Sequence, residues 1–157
     1  MPTSDPQTAS CIFCAIVRGD APATFLRRDE LVVAFMDIRP VQPGHLLVVP
    51  RAHAQLLPEL DPKSLARLWS IATDLNRAIR KSDLPAEAVS VYVADGAAAG
   101  QEVAHVHIHL IPRRDHDGFG FRFPPGYGSQ PRREELEAVA ARIGAGLPPV
   151  AANPDGR

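Results

Sequence analysis

The sequence predicts an α+β fold: an antiparallel sheet of about five strands, one long helix packed on it, and a second helix near the C-terminus. Three observations carry that expectation. Short strand-like runs follow one another without a helix between each pair, which argues against parallel βαβ units. One long stretch after Asp61 repeats apolar residues at intervals of three and four, the mark of an amphipathic helix. The 157 residues fit one domain, with a core large enough to need no disulfides.

Residues 1–10 are polar and Pro-containing and read as a disordered arm. Cys11 to Gly19 carries Ile12, Phe13, Ile16 and Val17, a short helical turn that Gly19 ends. Thr24 to Arg28 and Leu31 to Asp37 read as two strands joined by a turn at Arg28-Asp29-Glu30. In the second, Val33, Phe35 and Asp37 share one face. Pro40 and Pro43-Gly44 force a loop, and His45 to Pro50 is a buried strand that Pro50 closes. Asp61 is a helix N-cap, with Pro62 at the first helical position. Leu65, Leu68, Trp69, Ala72, Leu75 and Ile79 form the apolar stripe of that helix. Val89, Val91 and Val93 alternate with Ser90, Tyr92 and Ala94 in a further strand. A loop of small residues from Asp95 to Gln101 leads into the last strand. The stretch from Arg113 to Pro131 has no period. Gln130-Pro131 opens a final helix bearing Leu136, Val139, Ala140 and Ile143, ended by Gly144. The expected organisation is an arm at 1–10, one domain at 11–146 and a disordered tail at 147–157.

Hydrophobic residues make up 45% and charged residues 22% of the chain, an ordinary globular balance. The net charge of −1 gives no global attraction to nucleic acid or an anionic membrane, so neither is expected as a partner. No apolar run approaches the length of a membrane span. The first ten residues lack a basic-then-apolar signal pattern. Two cysteines three positions apart do not make a secreted disulfide framework. The expected location is the cytoplasm.

The most informative segment is His105-Val106-His107-Ile108-His109-Leu110-Ile111-Pro112. Imidazoles at 105, 107 and 109 alternate with apolar residues, so a strand here places all three rings on one face, about 6.6 Å apart. Stability alone does not ask for a row of ionisable rings backed by an apolar face. Imidazole titrates nearest neutrality and serves as nucleophile, acid or ligand.

This pattern resembles the histidine triad (HIT) family of nucleotide hydrolases and transferases. The likeness extends to Cys11-Ile12-Phe13-Cys14 with Arg18-Gly19-Asp20, to Phe35-Met36-Asp37-Ile38-Arg39-Pro40, to Pro43-Gly44-His45-Leu46-Leu47-Val48-Val49-Pro50, and to Gly100-Gln101. It covers about residues 11–145 in order. The resemblance implies a HIT-like fold, a homodimer formed through the long helix and a sheet edge, and cleavage at the α-phosphate of a nucleoside phosphate conjugate or dinucleotide polyphosphate. His107 would be the nucleophile, with a nucleotidyl group held on its ring nitrogen. His109, His45 and Gln101 would be its catalytic partners. Asp37 would accept bonds from ribose hydroxyls, Ile38 and Phe35 would wall the base, and Gly100 and Gln101 would lie along the phosphates. Two positions depart from the family pattern: Ala94 stands where many members have Asn, and Glu102 where many have Ser or Thr. A carboxylate cannot donate to phosphate as a hydroxyl can.

Cys11 and Cys14 have the spacing of half a zinc site, and a structural zinc needs four ligands. His53 and His105 are the candidates to complete it, a set that some bacterial members of the family use. Free thiols or a redox pair are the other readings. A zinc-dependent hydrolase using the histidine strand, and a nucleotide-binding protein without catalysis, are the competing functions. Chelators would abolish the first, and loss of the middle histidine would leave the second intact.

Overall fold

The computed structural model describes residues 6–149, in two compact units that divide between Phe119 and Gly120. The first holds five strands: β1 (Phe25–Arg28), β2 (Val32–Met36), β3 (Leu46–Pro50), β4 (Ala88–Tyr92) and β5 (Ile108–Arg113). They form one antiparallel sheet in the order β1-β2-β3-β5-β4. Helix α2 (Ile12–Arg18) and the long α3 (Pro62–Lys81) belong to the same unit. A five-residue helix, α1 (Pro6–Ser10), stands where the sequence suggests a loose arm. Arg18 Nη1 donates to the Thr8 carbonyl and ties that turn to α2. The rest of the expected arm, residues 1–5, and the last eight residues of the expected tail lie outside the described residues.

The sheet sorts its side chains into two apolar clusters. Val32, Ala34, Leu46, Val48, Val106, Ile108 and Leu110 join α3, which contributes Leu68, Ile71, Ala72, Leu75 and Ile79. Val33, Phe35, Leu47 and Val49 join α2 through Phe13 and Ile16. The period of two in β2 and β3 makes this division, because neighbouring residues face opposite ways. On α3 the buried stripe includes Ile71, whereas Trp69 is 43% exposed. The expected stripe placed Trp69 inward and left out Ile71; a pitch of 3.6 residues carries the face from Leu68 to Ile71 and Ala72. Asp61 caps α3 by accepting from the Lys63 and Ser64 N–H groups, a device worth about 1 kcal/mol.

The regular part of the last strand begins at Ile108, so His105 and His107 precede it. The alternation still holds across the boundary: Val106, Ile108 and Leu110 all pack into the α3 cluster. The second unit holds α4 (Arg133–Gly144), which starts two residues beyond Pro131. None of its residues is buried, and Leu136, Val139 and Ile143 are exposed.

Candidate active site

The site lies at one end of the sheet, where β2 runs out and β3 begins. Asp37 follows β2, and His45 precedes β3. The turn between them depends on Gly44, which has φ +90°; a Cβ there would meet Leu84 Cδ1 at 2.7 Å and Pro112 Cγ at 2.9 Å. Only glycine combines that backbone with that closeness. The turn delivers His45, nearly fully buried, beside β5.

A cleft of about 580 Å³ opens here. Phe13, Ile16 and Phe35 line it on the apolar side, and Asp37, His45, Gly100, His107 and His109 contribute the polar groups. Ile38 also lines it and is 89% exposed. Of the catalytic and nucleotide-contact residues proposed from sequence, only Gln101 stands apart from the cleft. Its Oε1 accepts from the Gly96 N–H at 2.9 Å and its Nε2 donates to the Gln55 carbonyl at 2.8 Å. Both ends of the amide brace the loop.

The hydrogen bonds assign the ring tautomers. His107 Nδ1 lies 2.7 Å from the His105 carbonyl oxygen, which only accepts, so Nδ1 carries the proton and Nε2 keeps its lone pair. The Val41 N–H donates to His45 Nδ1 at 3.2 Å, so His45 is protonated at Nε2 and donates to His109 Nδ1 at 3.0 Å. His109 is therefore left with an N–H at Nε2. Asp37 Oδ1 accepts from the Arg39 N–H at 2.7 Å, and its Oδ2 sits 3.6 Å from His45 Nδ1, beyond hydrogen-bond range.

Burial holds these rings neutral. It pushes His109 down to about 4, with the neighbouring His107 and His45 adding to the effect. Burial likewise lowers His107 and His45, against the pull of Asp37. Asp37, His45 and His109 also present ligand-type atoms within 4.8 Å of one another, but both nitrogens of His45 are already engaged in the bonds above.

A second cluster adjoins the first. Cys11, Cys14, His53 and His105 bring one ligand atom each within 4.8 Å of the others. His105 Nδ1 is 3.4 Å from Cys11 Sγ and 3.6 Å from Cys14 Sγ, and His53 Nδ1 is 3.3 Å from Cys14 Sγ. A tetrahedron with Zn–S near 2.3 Å and Zn–N near 2.0 Å has S···N edges of roughly 3.5 Å. His105 Nε2 donates to the Pro50 carbonyl at 2.9 Å, which frees Nδ1 to ligate. The four donors thus fit zinc in number, type and spacing.

Three cleft residues escape a reading of the sequence alone. Phe13 sets its ring edge-on to both His105 and His107. Arg39 forms an ion pair of 2.7 Å with Glu102 at the cleft. Tyr92 stacks on His109. Each depends on a long-range pairing; only the alternation of Tyr92 with the valines of β4 hints at its face.

Comparison with known proteins places this geometry in context. The sequence profile described as "HIT domain" matches residues 18–116. The adenosine 5′-monophosphoramidase of Schizosaccharomyces pombe is 38% identical over 135 residues, 85% of this chain and 96% of that protein. A HIT family protein of Bacillus subtilis superposes with a TM-score of 0.80 at 33% identity, covering 88% of this chain and 98% of that one. A zinc-bound histidine triad family protein from Mycobacterium smegmatis gives 0.68 at 38% identity, covering 89% and 99%. With the profile spanning the sheet and all three histidines of the row, the chain belongs to the HIT domain family.

Proposed function

We propose that the protein is a nucleotidyl hydrolase or transferase acting through a covalent nucleotidyl-His107. The observation that carries this reading is the 2.7 Å bond from His107 Nδ1 to the His105 carbonyl. It pins the tautomer whose Nε2 lone pair is free, and burial keeps that ring unprotonated. A neutral imidazole at the cleft is a competent nucleophile.

In the first step Nε2 attacks the α-phosphorus, and the bond to the leaving group breaks with its electron pair. In the second, water attacks phosphorus, the P–N bond breaks, and the pair returns to Nε2. His109 offers its Nε2–H to a phosphate oxygen where charge develops, and His45 holds His109 from behind. Asp37 receives ribose hydroxyls, Ile38 and Phe35 flank the base, and the backbone at Gly100 borders the phosphate. The Schizosaccharomyces pombe relative is named an adenosine 5′-monophosphoramidase, which supports a nucleotide phosphoramidate as substrate class.

Cys11, Cys14, His53 and His105 would hold one zinc ion, as the zinc-bound Mycobacterium smegmatis relative suggests. Its contribution would be structural, tying α2 to the segment that carries His107. The exposed Trp69 on α3 supports a homodimer through that helix; a light-scattering mass of one chain at micromolar concentration would count against it.

The deciding experiment mixes protein briefly with adenosine 5′-phosphoramidate or a diadenosine polyphosphate and measures intact mass. A species heavier by one nucleotidyl group, absent in His107→Gly, is the expected result. A chiral thiophosphate substrate gives net retention through two displacements. Inversion would mean a single direct attack by water and would end the covalent reading.

A further inference from the structure

One aromatic ring in the cleft has no part in the chemistry so far. Tyr92 ends β4 and is paired in register with His109 on β5. Its ring faces the imidazole, with centroids 4.4 Å apart and planes 8° from parallel. Both residues line the cleft.

Among the described residues, His109 is hydrogen-bonded at one nitrogen only, Nδ1 to His45 Nε2 at 3.0 Å. One such bond fixes a point on a ring and leaves its plane free to turn. The other ring neighbours do not fix that plane: His107 is tilted by 60° at 4.7 Å and His45 by 34° at 5.3 Å. The parallel face of Tyr92 supplies the missing constraint, because an offset stack resists rotation of either ring. The sheet makes this stack dependable, since antiparallel partners directly opposite each other keep their side chains on one face. Among the described residues no hydrogen bond engages the Tyr92 hydroxyl, so the ring is the part in use.

Resting on the reading of His107 and His109 given above, we propose that Tyr92 is a positioning residue: its ring face sets the plane of His109 so that the free Nε2–H meets the phosphate in one orientation. Misplacing such a donor costs rate more than binding, because the bond to the phosphate strengthens in the transition state.

The test uses the full zinc-loaded chain with Tyr92→Leu and Tyr92→Phe. By NMR, the His109 Cε1–H signal carries a ring-current shift in the parent protein. That shift is retained in Tyr92→Phe and lost in Tyr92→Leu. With adenosine 5′-phosphoramidate as probe, Tyr92→Leu lowers kcat by about 10- to 100-fold with KM within about twofold, and Tyr92→Phe restores kcat to within about threefold. If Tyr92→Leu fails to fold, Tyr92→Val keeps strand preference and takes its place. A Leu or Val variant with the parent kcat overturns the proposal. So does a Phe variant as slow as Leu, which would assign the role to the hydroxyl. Intact mass of the parent protein reports separately: no nucleotidyl adduct there defeats the covalent reading, while the NMR comparison still decides what orients His109.

Discussion

Two histidine clusters share one segment of chain and end with opposite hydrogen bonding. His105 and His107 are two residues apart, both buried, both lowered in pKa by that burial. They differ in what each ring nitrogen meets. His105 gives Nε2–H to a carbonyl and turns Nδ1 to two thiols. His107 gives Nδ1–H to a carbonyl and leaves Nε2 to the cleft. The difference teaches that burial alone does not assign a role to an imidazole. The partner of the second nitrogen does.

The comparison breaks most visibly at His107. His107→Ala is expected to lose turnover by about 10⁴-fold or more while still binding AMP, since the proposed nucleophile serves both steps; single-turnover kinetics with equilibrium dialysis measures both. His109→Ala removes a donor and costs less, about 10²- to 10³-fold in kcat. At the other cluster the order of effects reverses. Cys14→Ser should release the proposed zinc, seen by elemental analysis, and lower stability by about 2–4 kcal/mol in denaturant melts. AMP affinity should fall much less. A Cys14→Ser protein with unchanged zinc content would refute the ligand set.

The pH response sharpens the same contrast. Unfolded, His109 titrates near 6.5; folded, it is held at about 4. Above pH 6.5 both states carry a neutral ring, and pH leaves stability unchanged through this group. As pH falls from about 6.5 to 4, the unfolded chain takes up a proton that the fold refuses, so stability declines across that window. His45 contributes with the same sign. Denaturant midpoints measured across this window should fall more steeply for the parent than for His109→Gln. The smallest effect is expected at the Arg39–Glu102 pair. Its side chains are 79% and 74% exposed, so Glu102→Gln should change stability by less than about 1 kcal/mol.

Much of this was legible before any coordinates. Apolar runs bounded by turn residues, and apolar alternation in the last two, located all five strands, and Asp61-Pro62 located the start of α3. The motifs brought His45, Asp37 and the histidine row to one place. What the sequence could not show was pairing between distant segments. Tyr92 meets His109 only because β4 and β5 adopt one register, and Gln101 reaches Gln55 only because two loops adjoin. Trp69 and Ile71 traded places because a stripe read at spacings of three and four does not say which edge of the face is covered.

The group that fixes the state of His107 is a backbone carbonyl. Every amino acid at position 105 carries that oxygen, so no coding change there deletes it. Drift can strip the imidazole from position 105 and still leave the proton of His107 on Nδ1. A side-chain scan is blind to this contact for the same reason. In a lineage that lost the side chain of His105, the His107 imidazole would inherit its orientation from the main chain unchanged.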